Sequence, residues 1–215
     1  MLISALQRRV ARQGAQPLIT YYDGADGSRI ELSAITFANW VDKTANLIAD
    51  LGHDDGEAID LALAESHPAH WVTLVWIAAA WQRGCPVHPG DTGADLLVVG
   101  PGDERRAELT VACSLHPLGR GFPTPPPDAV DYREVFGQPD LHDVALDGEA
   151  YWWGGHPAPE VPARDSRVLL RDPAVGWDTV AEALVSPVLG TGSTVIAVNV
   201  DDAGAARIAA DEKTL

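Results

Sequence analysis

Residues 19–52 read ITYYDGADGSRIELSAITFANWVDKTANLIADLG, and the architecture turns on this stretch. Ile19 and Tyr21, then Ile30 and Leu32, are β-prone residues on either side of two turn signals, Asp23-Gly24 and Asp26-Gly27. That pattern predicts two strands around a turn. Ser33 stands where a helix N-cap belongs, because its hydroxyl can accept from an amide left free in the first turn. Ala38, Val41, Ala45, Ile48 and Leu51 then recur at helical spacing, and Gly52 takes the C′ position that ends the helix.

Working outward, AIDLALA (58–64) reads as a short buried strand, and Ser66-His67-Pro68 as the start of a second helix with Pro68 in its first turn. The body of that helix, HWVTLVWIAAAWQR, is apolar all round, which predicts burial on most sides, and Gly84 ends it. PVHP and DLLVVG (95–100) read as two further strands. On the N-terminal side, residues 2–12 form a short helix with Leu2, Leu6 and Val10 on one face and Arg8, Arg9 and Arg12 opposite. Toward the C-terminus come a strand RVLL (167–170), a helix TVAEALVSPVLG (179–190) broken or ended near Pro187, a strand STVIAVNV (193–200) and a helix capped by Asp201.

Strands alternating with helices at this spacing predict a three-layer α/β fold of mostly parallel sheets flanked by helices. The middle differs, with prolines at 117, 123, 125, 126, 127, 139, 157, 159 and 162. Such a segment cannot be regular helix or central strand. The expected organisation is a first α/β lobe (1–116), a Pro-rich connection (117–163) and a second small lobe (164–215) packing with the first.

The charge is lopsided, 15 Lys plus Arg against 31 Asp plus Glu, for a formal net of −16. A field of that sign repels phosphate backbones and anionic lipid, so no nucleic acid and no membrane are expected as partners. Cys85 and Cys113 each lie in an apolar stretch, which predicts two buried thiols in a reducing cytoplasm rather than a disulfide. The apolar part of MLISALQRRVAR is too short for a signal peptide, and the longest apolar run, 71–81, is too short to cross a bilayer.

The order of pieces resembles a known family. Residues 19–52 are similar to the opening of the adenylate-forming superfamily, which holds acyl-CoA synthetases, luciferases and nonribosomal adenylation domains. GEAIDLALAESHPAHWVTLVWIAAAWQRGCPVHPGDTGADLLVVG (56–100) looks like its second unit. SRVLLRDPAVGWDTVAEALVSPVLGTGSTVIAVNVDDAGAARIAADEKT (166–214) looks like the later strand–helix–strand stretch. The likeness covers about two thirds of the chain and is similar in kind to short actinobacterial relatives of these synthetases. It implies the fold of the family's N-terminal region.

The resemblance also implies a Ser/Thr/Gly-rich loop that cradles the ATP phosphates, lying before RVLL. The residues there are DGEAYWWGGHPAPEVPARD (147–165), with no Ser, Thr or Lys. No catalytic residue and no cofactor are therefore expected, and the chain alone is not expected to form an acyl-adenylate. The reading is a non-catalytic binding or regulatory protein whose partner is a protein, itself or another chain. The alternatives are a structural part of an acyl-activating enzyme completed by another chain, and a binder of a small acyl or nucleotide ligand.

Other constellations are weaker. Gly100 and Gly102, in GPGDER after a strand, could turn amides toward an anion, although Pro101 removes one donor. His67, His70, His88 and Asp91 could converge on a metal, but the ligand companions are missing and no metal is expected. His142-Asp143 lacks partners in the same way. Ser114 and His116 have no nucleophile elbow around them. Trp152 and Trp153, in a Pro/Gly-rich loop, are the best candidate for an interaction patch.

Overall fold

A computed structural model describes residues 2–142 and 152–215. Along the chain come α1 (Leu2–Gln13), β1 (Pro17–Asp23), β2 (Ser28–Ser33), α2 (Ala34–Asp50), β3 (Ile59–Leu61), α3 (Leu63–Ser66), α4 (Trp71–Gln82), β4 (Val87–His88), β5 (Leu96–Val99) and β6 (Leu109–Ala112). Then follow β7 (Val130–Asp131), a 3-10 turn (Tyr132–Gly137), β8 (Trp152–Trp153), β9 (His156–Pro157) and β10 (Arg167–Arg171). α5 (Trp177–Val180), a π turn (Ala181–Val185), α6 (Ser186–Leu189), β11 (Ser193–Val198) and α7 (Asp202–Glu212) complete the order.

Two sheets result, both rich in parallel pairs. One runs β10-β11-β1-β2, antiparallel only in the β1–β2 hairpin. The other runs β7-β6-β5-β3-β4-β8-β9, antiparallel only at β8–β9. Helices α2 and α4 pack on each other; α2 lies against β1 and β2, and α4 against β3 and β4. The helix pair thus forms the layer between the sheets, and the expected three-layer α/β class holds. β11 pairs with β1, so the stretches 1–116 and 164–215 contribute strands to one sheet.

Burial follows the strand period. Leu96 and Val98 face the main core, while Leu97 and Val99 pack with Ala62 and Ala112 on the opposite face. Val195 and Ala197 likewise turn away from Ile196 to meet Ile208 of α7. All twelve residues of α4 are buried, as its unbroken apolar surface predicts.

The hairpin, the Ser33 cap and the Asp201 cap stand where the sequence places them. Three local expectations are corrected and one is narrowed. The strand expected over 58–64 ends at Leu61, and the chain turns into α3. Pro68 lies in a turn before α4, whose N-cap is His70. Of the two outcomes expected near Pro187, helix 179–190 is broken rather than ended: the π turn before it widens the backbone and leaves Pro187 at the start of α6, where a proline needs no amide partner. Arg9 is buried at 5% exposure, because α1 is covered by both α2 and α6.

Candidate functional site

The interval that the family resemblance assigns to ATP phosphates is described from Trp152 onward; Asp147, Gly148 and Glu149 lie outside the described residues. It begins as a two-residue hairpin, with Gly154 (φ 60°) and Gly155 (φ 79°) in the left-handed region that such a turn requires. The Gly154 amide donates to Val87 O (2.9 Å), so this glycine donor is committed inside the protein. Residues 158–165 then run as an extended strap into β10.

The strap is fastened along its length. Arg164 N donates to Ser186 O (3.0 Å), and Gly192 N to Arg164 O (2.8 Å). Ser186 Oγ donates to Pro162 O (2.7 Å), and Asp165 Oδ1 accepts from the amide and hydroxyl of Thr191 (2.8 and 2.9 Å). Pro157, Pro159 and Pro162 have no amide to offer. The approach is close enough that a Cβ on Gly190 would stand 2.2 Å from Arg164 O, and one on Gly192 would stand 2.4 Å from Ser166 O. This explains the glycines of LGTGST as packing residues.

Behind the strap lies a cavity of about 770 Å3 walled by Val161, Arg164, Val168, Trp177 and the π turn. Its charged lining is Glu160, Asp178 and Glu182 against Arg164. Arg164 Nη2 already donates to Glu182 O (2.9 Å) and Thr194 Oγ1 (2.7 Å), and burial lowers the guanidinium pKa against the opposing pull of Glu182. Arg164 Nε and Nη1 are buried without a hydrogen-bond partner among the described residues, so the cation is only partly engaged. Three carboxylates against this one cation still repel a triphosphate, whereas the apolar wall suits an uncharged group.

The sequence candidates are dispersed. Gly100 ends β5 and packs beside Leu63, Ser66 and His67. Gly102 is left-handed (φ 78°), and no helix follows it; Asp103 instead pairs with Arg105 (2.7 Å), so no helix N-terminus faces an anion there. Trp152 and Trp153 are adjacent on β8 and therefore point to opposite faces. Trp152 is 40% exposed, while Trp153 packs on the core.

His67 and His70 stand with ring centroids 6.3 Å apart. His70 Nδ1 accepts from Val72 N (3.2 Å), and burial, then His67, drive its pKa down to about 3 against Asp26, so it is neutral. His88 lies beside Gly155 at the end of β4. Among the described residues, no group of three or more His, Cys, Asp or Glu could hold a metal ion. His142 meets Asn46 Oδ1 (2.7 Å), and Asp143 lies outside the described residues. Ser114 and His116 tie their own loop: Ser114 Oγ donates to Arg120 O, and His116 Nδ1 accepts from Leu118 N (3.0 Å).

Two polar arrangements escape sequence reasoning. Asp60 is fully buried in central β3 and accepts from the amides of Thr92, Gly93 and Ala94 (2.6, 2.8 and 2.9 Å) and from the Thr92 hydroxyl (2.7 Å). Burial alone would raise its pKa; those four donors bring it below the ordinary value. At the carboxyl ends of β1, β10 and β11, Tyr21, Asp23, His67, His70, Asp172 and Asn199 line a cleft of about 370 Å3. Asn199 donates from its amide to Asp172 (3.0 Å) and from its side chain to Asp23 (2.8 Å), so the acids hold the strand ends together. The signal was a polar residue closing each parallel strand, the usual place for a ligand crevice.

No family model matches the chain. A TIGR03089 family protein of Mycobacterium tuberculosis is 31% identical over 188 residues, covering 82% of this chain and 72% of that protein. Among solved structures, an acyl-CoA synthetase of Brucella canis superposes with a TM-score of 0.72 at 15% identity, covering 99% of this chain and 46% of that one. Acetoacetyl-CoA synthetase of Streptomyces lividans gives 0.67 at 14% identity, covering 97% and 40%. The N-terminal domain of FACL13 of Mycobacterium tuberculosis gives 0.62 at 14% identity, covering 99% and 61%. The chain thus spans about half the length of the full synthetases it matches, and the likeness to them is one of fold.

Proposed function

The chain belongs to the TIGR03089 family, and from that premise we propose that it is a synthetase-like binding or regulatory protein that does not by itself form an acyl-adenylate. The observation that carries this reading is the state of residues 152–165. They contain no Ser, Thr or Lys, their prolines lack amides, and Arg164 is held by Glu182 O and Thr194 Oγ1. Adenylation needs donors and cations gathered at a developing charge on the α-phosphate. Here the matching cavity presents three carboxylates. The inherited surface then serves a partner chain, in a cytoplasmic setting that fits the two buried free thiols.

Calorimetry with ATP and Mg²⁺ tests binding, and acid-dependent pyrophosphate release over a panel of carboxylic acids tests the chemistry. The expected outcome is no micromolar ATP affinity and no release above blank. Micromolar affinity with acid-dependent release from the pure chain overturns the reading.

A second reading, a structural part of an enzyme completed by another chain, draws on Trp152. This large apolar side chain is 40% exposed on the short β8–β9 hairpin at the edge of the seven-stranded sheet. Pyrophosphate exchange that appears only with a copurified partner separates this reading from the first.

A further inference from the structure

One cleft of this acidic molecule is basic. Arg8, Arg9 and Arg12 of α1 line a cavity of about 260 Å3 with Gln13, Asp165 and Thr191. Three arginines and one carboxylate line it, in a chain whose net charge is −16. None of the three forms an ion pair among the described residues. Asp165, the cavity's own acid, has Oδ1 occupied by the amide and hydroxyl of Thr191.

Arg9 is the second, independent observation. It is 5% exposed, yet its fork meets only neutral carbonyls: Nη1 donates to Pro187 O (2.7 Å) and Gly190 O (3.3 Å), and Nη2 to Pro17 O (3.5 Å). Its Nε is buried and has no partner among the described residues. The charge opposing it is the Asp165 carboxylate, which pulls the guanidinium pKa up against the burial that lowers it. A further anion in the cleft adds to the compensation that a buried cation needs. Arg8 and Arg12 are four apart, one helical turn, so both exposed guanidiniums border the same opening.

We propose that this cleft binds the phosphate group of a small phosphorylated molecule. Guanidinium forks match phosphate oxygens two at a time, so exposed Arg8 and Arg12 grip the anion while Arg9, whose fork is held by carbonyls, adds its charge from behind. The volume admits a phosphate group, and the rest of the molecule lies outside. A nucleic acid does not fit, because the surrounding surface of a −16 chain repels a polyanion beyond the few charges of the cleft.

The test is calorimetric titration of the full chain at low salt with inorganic phosphate and, separately, with glycerol phosphate as the monoester. Arg8→Gln/Arg12→Gln is the variant, since both side chains are exposed and leave the core intact. Binding is expected with either probe, strengthening as pH rises through about 6 for the monoester and about one unit higher for inorganic phosphate, where each gains its second charge. It should weaken about tenfold or more in the double variant, whose melting temperature without phosphate stays that of the parent. Tighter binding of the monoester identifies an esterified ligand, and equal affinities identify free phosphate; both uphold the site. No heat at millimolar phosphate overturns it. So does unchanged affinity in the double variant, which would leave the arginines as counter-charges to the α1 C-terminus.

Discussion

At position 70 an imidazole stands where a hydroxyl or carboxylate usually caps a helix. The ring accepts from Val72 N and lies edge-on to Tyr21 at 4.6 Å, with His67 and Asp26 the other titratable groups acting on it. Its pKa falls from 6.5 to about 3 on folding. Between those values the unfolded chain takes up a proton that the native protein refuses, so this residue's contribution is complete above 6.5 and is lost as pH falls. The expected slope is at most about 1.4 kcal/mol per pH unit. His70→Asn keeps a capping acceptor but does not titrate. Denaturant titrations from pH 6 down to 4 should therefore show a shallower decline for the variant than for the parent, and equal slopes would mean that His70 is protonated in the native state.

At the scale of elements, the pieces legible in the sequence were those written in local signals. The β1–β2 hairpin, the Ser33 and Asp201 caps and the wholly apolar α4 need no knowledge of partners. What was illegible depends on distant residues. Trp153 becomes a strand residue because β4 lies beside it, β6 forms between β5 and β7, and the π turn lets the helix reach Pro187 at the start of α6. In the candidate site, the missing Ser, Thr and Lys could be read directly. The burial of Arg9 and the fastening of the 158–165 strap could not, since both depend on the 186–192 turn. That fastening predicts an asymmetry between glycines. Gly192→Ala brings a Cβ to 2.4 Å from Ser166 O and should cost about 1–3 kcal/mol by chemical denaturation. Gly137→Ala meets nothing within 4 Å and should stay within about 0.5 kcal/mol of the parent. Equal effects would show that the strap yields freely.

For the whole molecule, the decisive tie is Glu212 near the end of α7. It accepts from Tyr22 (2.5 Å) and Arg29 (2.8 Å) of the first hairpin and pairs with Arg167 at the start of β10. Burial would raise its pKa, but the bonds from Tyr22, Arg29 and Arg167 hold it at about 2. A carboxyl whose folded pKa is depressed stabilises above its unfolded value of 4.5 and loses that contribution as pH falls toward 2. Glu212→Gln should cost about 2 kcal/mol at neutral pH, and the gap to the parent should narrow below pH 4.5 in acid-titrated melts. A gap independent of pH would assign the loss to packing alone.

The sheet order β10-β11-β1-β2 has a consequence for synthesis. β1 emerges from the ribosome early, but its parallel neighbour, residues 193–198, is translated near the end of this stretch of chain. At about 5–20 residues per second, the nascent hairpin waits some tens of seconds or less with one side of β1 unpaired. The backbone groups of Ile19–Asp23 that β11 will take up have no partner strand in that interval. The open edge is a template for another nascent strand, so chaperone shielding during translation matters more for this topology than its modest size implies.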